Sequence, residues 1–325
     1  MKRLLFAELN RLRSRRLTWV AMFLVLLVIA LLQVAVFLSV KPLTPAELAE
    51  GQAQYQESKR SFDANRAQYE QEAQDCVDAG NPPEACAIYE PQPEDFATRG
   101  VVPFPEIAKI GVTVTVFVAS LALLFLGASF IGAEYSSGAL ANWLSFIPER
   151  GKVFASKLLA LAVTAAVATA AFSALTIGLT MAVSRIQGAP ITGVAQLFET
   201  GLRGSVIGVI GAVLGFALAM LTRHTIAAAG TVLAYLLLAF VFSILTQLIA
   251  SMQALKHWLP ENNVLAFLND GYTYQNFVNV ITPQGTQQDY VSRTISFADS
   301  SLYWSVIIVL VVAGTFLLFR RRDVN

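Results

Sequence analysis

The chain has 325 residues, of which 55% are hydrophobic and 14% are charged, and its formal net charge is +1. Its mean hydropathy of +0.58 is higher than water-soluble domains of this length tolerate, so the composition predicts an integral membrane protein. The small net charge points to no nucleic-acid partner, and two His and two Cys residues are too few for a metal site.

Six apolar runs are long enough for transmembrane helices, each of which needs about 20 residues. An even number of spans puts both termini on one side, where Lys and Arg concentrate, and this side is therefore predicted to be cytoplasmic. The spans are 17–40, 107–132, 154–184, 204–221, 226–250 and 302–319. The segments 1–16, 133–153, 222–225 and 320–325 are then cytoplasmic, and 41–106, 185–203 and 251–301 lie outside.

Residues 1–16 carry Leu5, Leu9 and Leu12 at helical spacing among Arg and Lys, a pattern typical of an amphipathic helix in the inner interface. A basic anchor with no other role is the alternative. The apolar run that follows is too long for a signal peptide and lacks a small-x-small cleavage site, so we expect it to remain as the first span.

The first outer segment, 41–106, begins with the helix-start signature Thr44 to Glu47, and apolar residues then recur every seven positions. These residues are Leu48, Tyr55, Phe62, Tyr69 and Cys76. The pattern predicts a long helix packed along a narrow stripe. Its partner is either the rest of the loop or a second copy of the chain, and a solvated spacer is the third alternative.

The two cysteines, Cys76 and Cys86, lie in this same segment on either side of a Gly-Asn-Pro-Pro turn. A pair of cysteines on the side predicted to be oxidising indicates a disulfide. Two free thiols are the alternative.

The fourth span has small residues along one helical face: Gly204, Gly208, Gly211 and Gly215. Such a face lets two membrane helices approach closely. It packs either within one subunit or at a dimer or gating interface.

The last outer segment, 251–301, contains aromatic residues suited to a membrane interface, with Pro260 and Gly271 as helix breakers. We expect short helices at the outer surface, with a partly re-entrant hairpin.

Motifs for chemistry are missing from the sequence. It has no P-loop, no H-E-x-x-H and no G-x-S-x-G, so we do not expect it to be an enzyme. Ionisable residues such as Lys109, Arg185 and Arg223 fall at the predicted span ends, which disfavours an ion-coupled transporter. Energy for transport would therefore come from another subunit.

The stretch after the second span combines a carboxylate, a glycine, a proline and several bases. Leu140, Trp143, Leu144 and Ile147 share one face of a short helix in this stretch, which ends at Pro148. Held between two membrane helices, such a helix transmits a push from a soluble partner to the membrane.

In this region the sequence resembles the permease subunits of ABC-2 type transporters. That family commonly shows an acid at the end of span 2, a Gly-small-Leu step, a Pro followed by a base, and a Lys at the start of span 3. The matching positions are Glu134, Gly138-Ala139-Leu140, Pro148, Arg150 and Lys157. The chain departs from the pattern at Ala139, where Thr is common, and at Glu149, which is inserted before the base.

The resemblance implies an all-α integral membrane protein with six spans, an N-terminal interfacial helix and an outer helical excursion. It implies a multi-pass permease of an ATP-driven exporter in the plasma membrane of a prokaryotic cell. A unit of two permease chains, identical or related, would bind two copies of a separate ABC ATPase subunit, which holds ATP and Mg.

The resemblance also implies that the segment 133–153 is the coupling region contacting that ATPase. The residues assigned to it are Glu134, Gly138, Leu140, Trp143, Pro148, Arg150, Lys152 and Lys157. Arg150 and Lys152 would pair with acids of the ATPase, and Glu134 would cap the short helix or pair with a base. The competing interpretation is an ATPase-independent scaffold or sensor that binds a partner through its outer helix.

Overall fold

The computed structural model describes residues 2–40, 43–78, 86–96, 102–146, 149–282 and 285–321. In these ranges the helices are α1 (Lys2–Ser14), α2 (Arg16–Val40), α3 (Pro45–Asp78), α4 (Phe104–Ser136), α5 (Ala139–Phe146), α6 (Arg150–Ile186), α7 (Val194–Thr222), α8 (Thr225–Leu248), α9 (Pro260–Asn269) and α10 (Phe297–Arg321). Two strands, β1 (Tyr272–Thr282) and β2 (Gly285–Ile295), and 3₁₀ helices at Pro93–Phe96 and Ala250–Trp258 complete the described elements.

Six of these helices, namely α2, α4, α6, α7, α8 and α10, are long and apolar enough to cross a membrane. The prediction of a predominantly helical integral membrane protein is therefore confirmed. Several helices extend beyond the apolar runs, because the backbone hydrogen bonds continue into polar turns at the span ends. The largest difference is at 194–203, predicted as outer loop, which forms the first turns of α7 and buries Leu197 and Thr200.

The centre of the bundle consists of α4, α6 and α7, which carry most of the buried residues. The glycine face of α7 allows this close packing, because a Cβ at Gly211 or Gly215 would overlap the backbone carbonyl of Ser120 or Leu124 on α4. Gly208 lies against the Thr169 hydroxyl of α6 in the same way. Of the two interpretations of this face, the structure shows packing within one subunit.

The helices at the periphery expose apolar side chains. On α8, Ile226 is 86% exposed, Leu238 68% and Phe240 65%. Helices α2 and α10 likewise have little of their apolar surface buried. Apolar surfaces of this size are rarely exposed to water, whereas in a membrane they face lipid or another subunit.

Helix α3 is packed along part of its length by the return segment 86–96 of the same loop. Tyr55 packs on Phe96 with ring centroids 6.0 Å apart, and Gly51 lies against the Phe96 carbonyl. The predicted disulfide is confirmed, with the Cα atoms of Cys76 and Cys86 5.8 Å apart. At Tyr55 and Cys76 the apolar stripe of α3 is thus packed by its own loop, whereas Leu48 and Tyr69 of the same stripe are exposed.

The segment 251–301 differs from the prediction of short helices with a re-entrant hairpin. It contains the 3₁₀ helix and α9, but residues 272–295 form an antiparallel β-hairpin in which Tyr272 pairs with Ile295 and Thr282 with Gly285. Gln253 of the 3₁₀ helix accepts a hydrogen bond from the backbone N–H of Phe277, which holds the hairpin beside it. The aromatic residues that suggested a membrane interface are partly strand residues with high β-propensity.

Candidate functional site

A tight turn joins α4 to α5 at one end of the bundle. Gly138 adopts φ +68°, a left-handed conformation that glycine takes without strain, and its backbone N–H donates to the Tyr135 carbonyl. A Cβ at Gly138 would meet no neighbour, so this glycine is needed for its backbone conformation and not for space. Helix α5 starts directly afterwards and therefore leaves α4 at a defined angle.

A fully buried lysine lies beneath this turn. Lys157 of α6 is 1% exposed, and its Nζ is 2.9 Å from Glu8 Oε1 of α1 and 2.8 Å from Glu134 Oε2 of α4. Both acids are buried as well, Glu8 at 0% and Glu134 at 2% exposure. We call Glu8, Glu134 and Lys157 the charge cluster. It joins three helices that are distant in the sequence.

Arg11 closes the charge cluster from the solvent side. Its Nη1 lies 3.2 Å from Glu134 Oε1 and 3.6 Å from Glu8 Oε2, so each acid has two cationic neighbours. The guanidinium also lies over the Trp143 ring of α5, 5.5 Å from its centroid. Nearby, Arg15 Nη1 donates to the Ser129 carbonyl of α4 at 2.8 Å. Helix α1 is therefore fixed to α4 and contacts α5.

Helix α5 rests on the bundle through its apolar face. Leu140 is 1% exposed and packs in a cluster that includes Leu12, Phe130 and Phe154. Asn142 and Ser145, on the other side of α5, are exposed. Pro148 and the side chains of Leu144 and Ile147 lie outside the described residues. One side of α5 thus belongs to the core, and the opposite side is exposed.

The two bases that follow α5 already have contacts within the chain. Arg150 Nη1 donates to the carbonyl oxygens of Phe319 and Arg320, both at 3.2 Å, and so caps the C-terminal end of α10. Lys152 forms an exposed ion pair with Glu149, with Nζ 2.6 Å from Oε2. Arg150 is therefore engaged by α10, whereas Lys152 and Glu149 remain on the surface.

The comparison with known proteins agrees with this architecture. A family model described as an ABC-2 family transporter protein matches residues 6–324. The chain belongs to the ABC-2 transporter family. No curated protein and no solved structure matches it significantly. The protein is thus a multi-pass membrane component of an ABC transporter, as the resemblance predicted.

In this ABC-2 permease, sequence reasoning missed Glu8 as a member of the site. A signal was present, because Glu8 is the one acid of α1 and lies on the same helical face as Leu5, Leu9 and Leu12. An acid in such a position requires a buried cation as its partner. The sequence does not reveal which cation, since Lys157 lies 149 positions further along the chain.

Within the residues that the structure describes, no group of three or more His, Cys, Asp or Glu side chains is arranged to hold a metal ion. The acids of the charge cluster are instead neutralised by Lys157 and Arg11. The arrangement is suited to holding helices together and not to catalysis.

Proposed function

We propose that this ABC-2 permease couples to a separate ATP-binding subunit through α5, as part of an exporter with two permease and two ATPase chains. The observation that carries the proposal is the position of α5, which contacts Arg11 beside the charge cluster through Trp143 and is exposed on its other side. Asn142 and Ser145 would face the ATPase, while Leu140 faces the core. ATP and Mg would be held by the ATPase subunit.

The charge cluster supports transmission of movement from α5 into the membrane. Separating Lys157 from either acid would remove that acid's fully buried partner and leave it with the partly exposed Arg11, and breaking a buried ion pair typically costs up to about 3–5 kcal/mol. Helices α1, α4 and α6 are therefore expected to move together as one rigid unit. A displacement of α5, held by Leu140 and by the Arg11 contact at Trp143, would reach all three helices.

The charge distribution and the disulfide both support an orientation with cytoplasmic termini. One end of the bundle carries α1, α5 and the C-terminal end of α10. This end is rich in Lys and Arg, which favours a cytoplasmic location for it. The Cys76–Cys86 disulfide belongs to the segment between the first two spans, on the opposite side, and disulfides persist in oxidising compartments. Both termini would then be cytoplasmic, where an ATPase subunit is available.

Co-purification tests the proposal. The chain is expressed with the ATPase encoded beside it, isolated through a tag on the permease, and tested for subunit ratio and ATP hydrolysis. We expect a 1:1 ratio and measurable hydrolysis. Asn142→Arg on the exposed side of α5 should reduce the amount of bound ATPase, whereas Asn65→Arg on the exposed side of α3 should not.

Two results would overturn the coupling role. If the chain is isolated alone under mild conditions, the scaffold or sensor interpretation takes precedence, and α3 becomes the surface at which to look for a partner. If Asn142→Arg and Asn65→Arg reduce ATPase binding equally, α5 is not the contact. Circular dichroism and size-exclusion chromatography of both variants would check that the fold is unchanged.

A further inference from the structure

An apolar groove opens on the side of the bundle beside the charge cluster. It has a volume of about 420 Å³ and lies between α1, α2 and α6. Leu9, Met22, Val167, Ala171 and Phe172 line it, together with other residues of α6 between 163 and 172. This volume is within the range of small-ligand pockets, about 300–1,000 Å³.

The groove is open towards the surroundings of the bundle and offers no free polar group. Val167 is 64% exposed, and Ala171 is also exposed. The one hydroxyl in the lining, that of Thr164, donates to the Ala160 carbonyl at 2.8 Å. Apart from Leu9 of α1, the lining residues belong to helices long and apolar enough to span a membrane, so the groove faces hydrocarbon. A hydrocarbon chain is the ligand chemistry that this lining accepts.

A basic rim lies at the end of the groove nearest to α1. Phe6, Leu9 and Arg13 follow one another at i, i+3 and i+7, so Arg13 projects from the same side of α1 as the groove residue Leu9. Arg13 is exposed and forms no ion pair among the described residues. Trp19 Nε1 donates to the Arg13 carbonyl at 2.9 Å, and tryptophan is enriched at the level of lipid headgroups.

The charge around Arg13 would attract an anion. Arg3 and Arg16 are also exposed, and Glu8 is the one acid between residues 2 and 40. Glu8 is fully buried against Lys157 and is therefore already neutralised. Basic clusters on amphipathic helices next to a span bind anionic lipids at about 1 kcal/mol for each Lys or Arg near the surface.

We propose that this groove binds an anionic phospholipid, with one acyl chain between α2 and α6 beneath Leu9 and the phosphate at Arg13. The bound lipid would hold α1 against the bundle from the side opposite to its contacts with α4. Because Glu8 and Leu9 are neighbours on α1, the lipid would stabilise the position of α1 that the charge cluster requires. The inference does not depend on the ATPase and extends beyond the coupling role.

Native mass spectrometry of the purified full-length permease tests the proposal. Dioleoyl phosphatidylglycerol is titrated into the delipidated protein in a mild detergent, with dioleoyl phosphatidylcholine in a parallel titration. We expect one tightly held phosphatidylglycerol and weaker binding of phosphatidylcholine. Arg13→Gln should weaken phosphatidylglycerol binding about fivefold, and Arg3→Gln, ten positions away along α1, should change it less.

Filling the groove provides the second part of the test. Ala171→Phe places a ring in the groove from its open side and should abolish the bound phosphatidylglycerol. Ala174→Phe is the matched control, since Ala174 is exposed on the same helix but outside the groove lining. Equal binding of the two lipids would overturn the proposal, as would equal effects of Ala171→Phe and Ala174→Phe, because both results indicate bulk annular lipid.

Discussion

Replacing Lys157 with methionine is the most informative single change in the charge cluster. The substitution shortens the side chain by one atom and removes its charge, leaving Glu8 and Glu134 buried. Arg11 remains at 3.2 Å and 3.6 Å from the two acids, but its side chain is 39% exposed, so solvent screens its contribution. The two carboxylates would then repel each other in a site with little water.

The expected loss of stability follows from the distances. At 2.9 Å and an effective dielectric constant of about 20, each Lys157–carboxylate pair has a gross Coulomb attraction of about 6 kcal/mol. Desolvation of the charges offsets much of this attraction, and breaking a buried pair by removing one partner typically costs about 3–5 kcal/mol. We therefore expect Lys157→Met to lower the free energy of unfolding by about that amount.

Equilibrium unfolding in mixed micelles of dodecylmaltoside and SDS, followed by tryptophan fluorescence, measures this difference. Lys152→Met is the matched control: Lys152 is 52% exposed and pairs with an exposed acid, so the change should be at most about 1 kcal/mol. Combining Lys157→Met with Glu8→Gln and Glu134→Gln removes all three charges and should restore most of the lost stability.

Two results would refute this reasoning. A loss for Lys157→Met no larger than that for Lys152→Met would mean that the buried charges contribute nothing specific. A triple variant no more stable than Lys157→Met would mean that lost packing, and not an uncompensated charge, is the cause.

Three further predictions concern packing and the outer segment. Gly215→Ala should destabilise the bundle by about 1–3 kcal/mol in the same unfolding assay, because the new Cβ would meet the Leu124 carbonyl. Gly178→Ala is the control and should be neutral or slightly stabilising, because the space around Gly178 is open. Equal effects of the two substitutions would contradict the close packing of α7 on α4. The double variant Cys76→Ser, Cys86→Ser should lower the stability of the segment between α2 and α4 by about 3 kcal/mol. The loss should be seen as faster hydrogen exchange in α3 and in 86–96. Unchanged exchange would show that the apolar contacts hold this segment together without the disulfide. The hydrogen bond from Lys59 holds the pKa of Glu90 below its ordinary value of 4.5, so the stabilisation is present above pH 4.5 and is lost as the pH falls through the lower folded-state pKa. Exchange of 86–96, corrected for the intrinsic pH dependence of amide exchange, should therefore accelerate at low pH, and Lys59→Met should reduce this pH dependence. A remainder is expected, because Arg66 also lies near Glu90 and the pKa of Asp95 in the same segment is lowered by its hydrogen bonds from Tyr89 and the Gln92 N–H.

The hydrophobic pattern was sufficient to predict the spans, because about 20 apolar residues must be shielded from water whatever they pack against. The disulfide was predictable from the sequence because Cys76 and Cys86 are the two cysteines of the chain and lie close together along it. The membership of Glu134 and Lys157 in the site came from the resemblance to the family.

Partners between distant segments were decided only by the tertiary structure. Periodicity identifies the face of a helix but not the surface that covers it, so the stripe of α3 and the glycine face of α7 each left alternatives open. Glu8 and Lys157 meet because α1 folds back onto α6, and no local pattern encodes that distance. The hairpin at 272–295 was missed because aromatic residues suit both a membrane interface and a strand, and pairing of β1 with β2 decides between them.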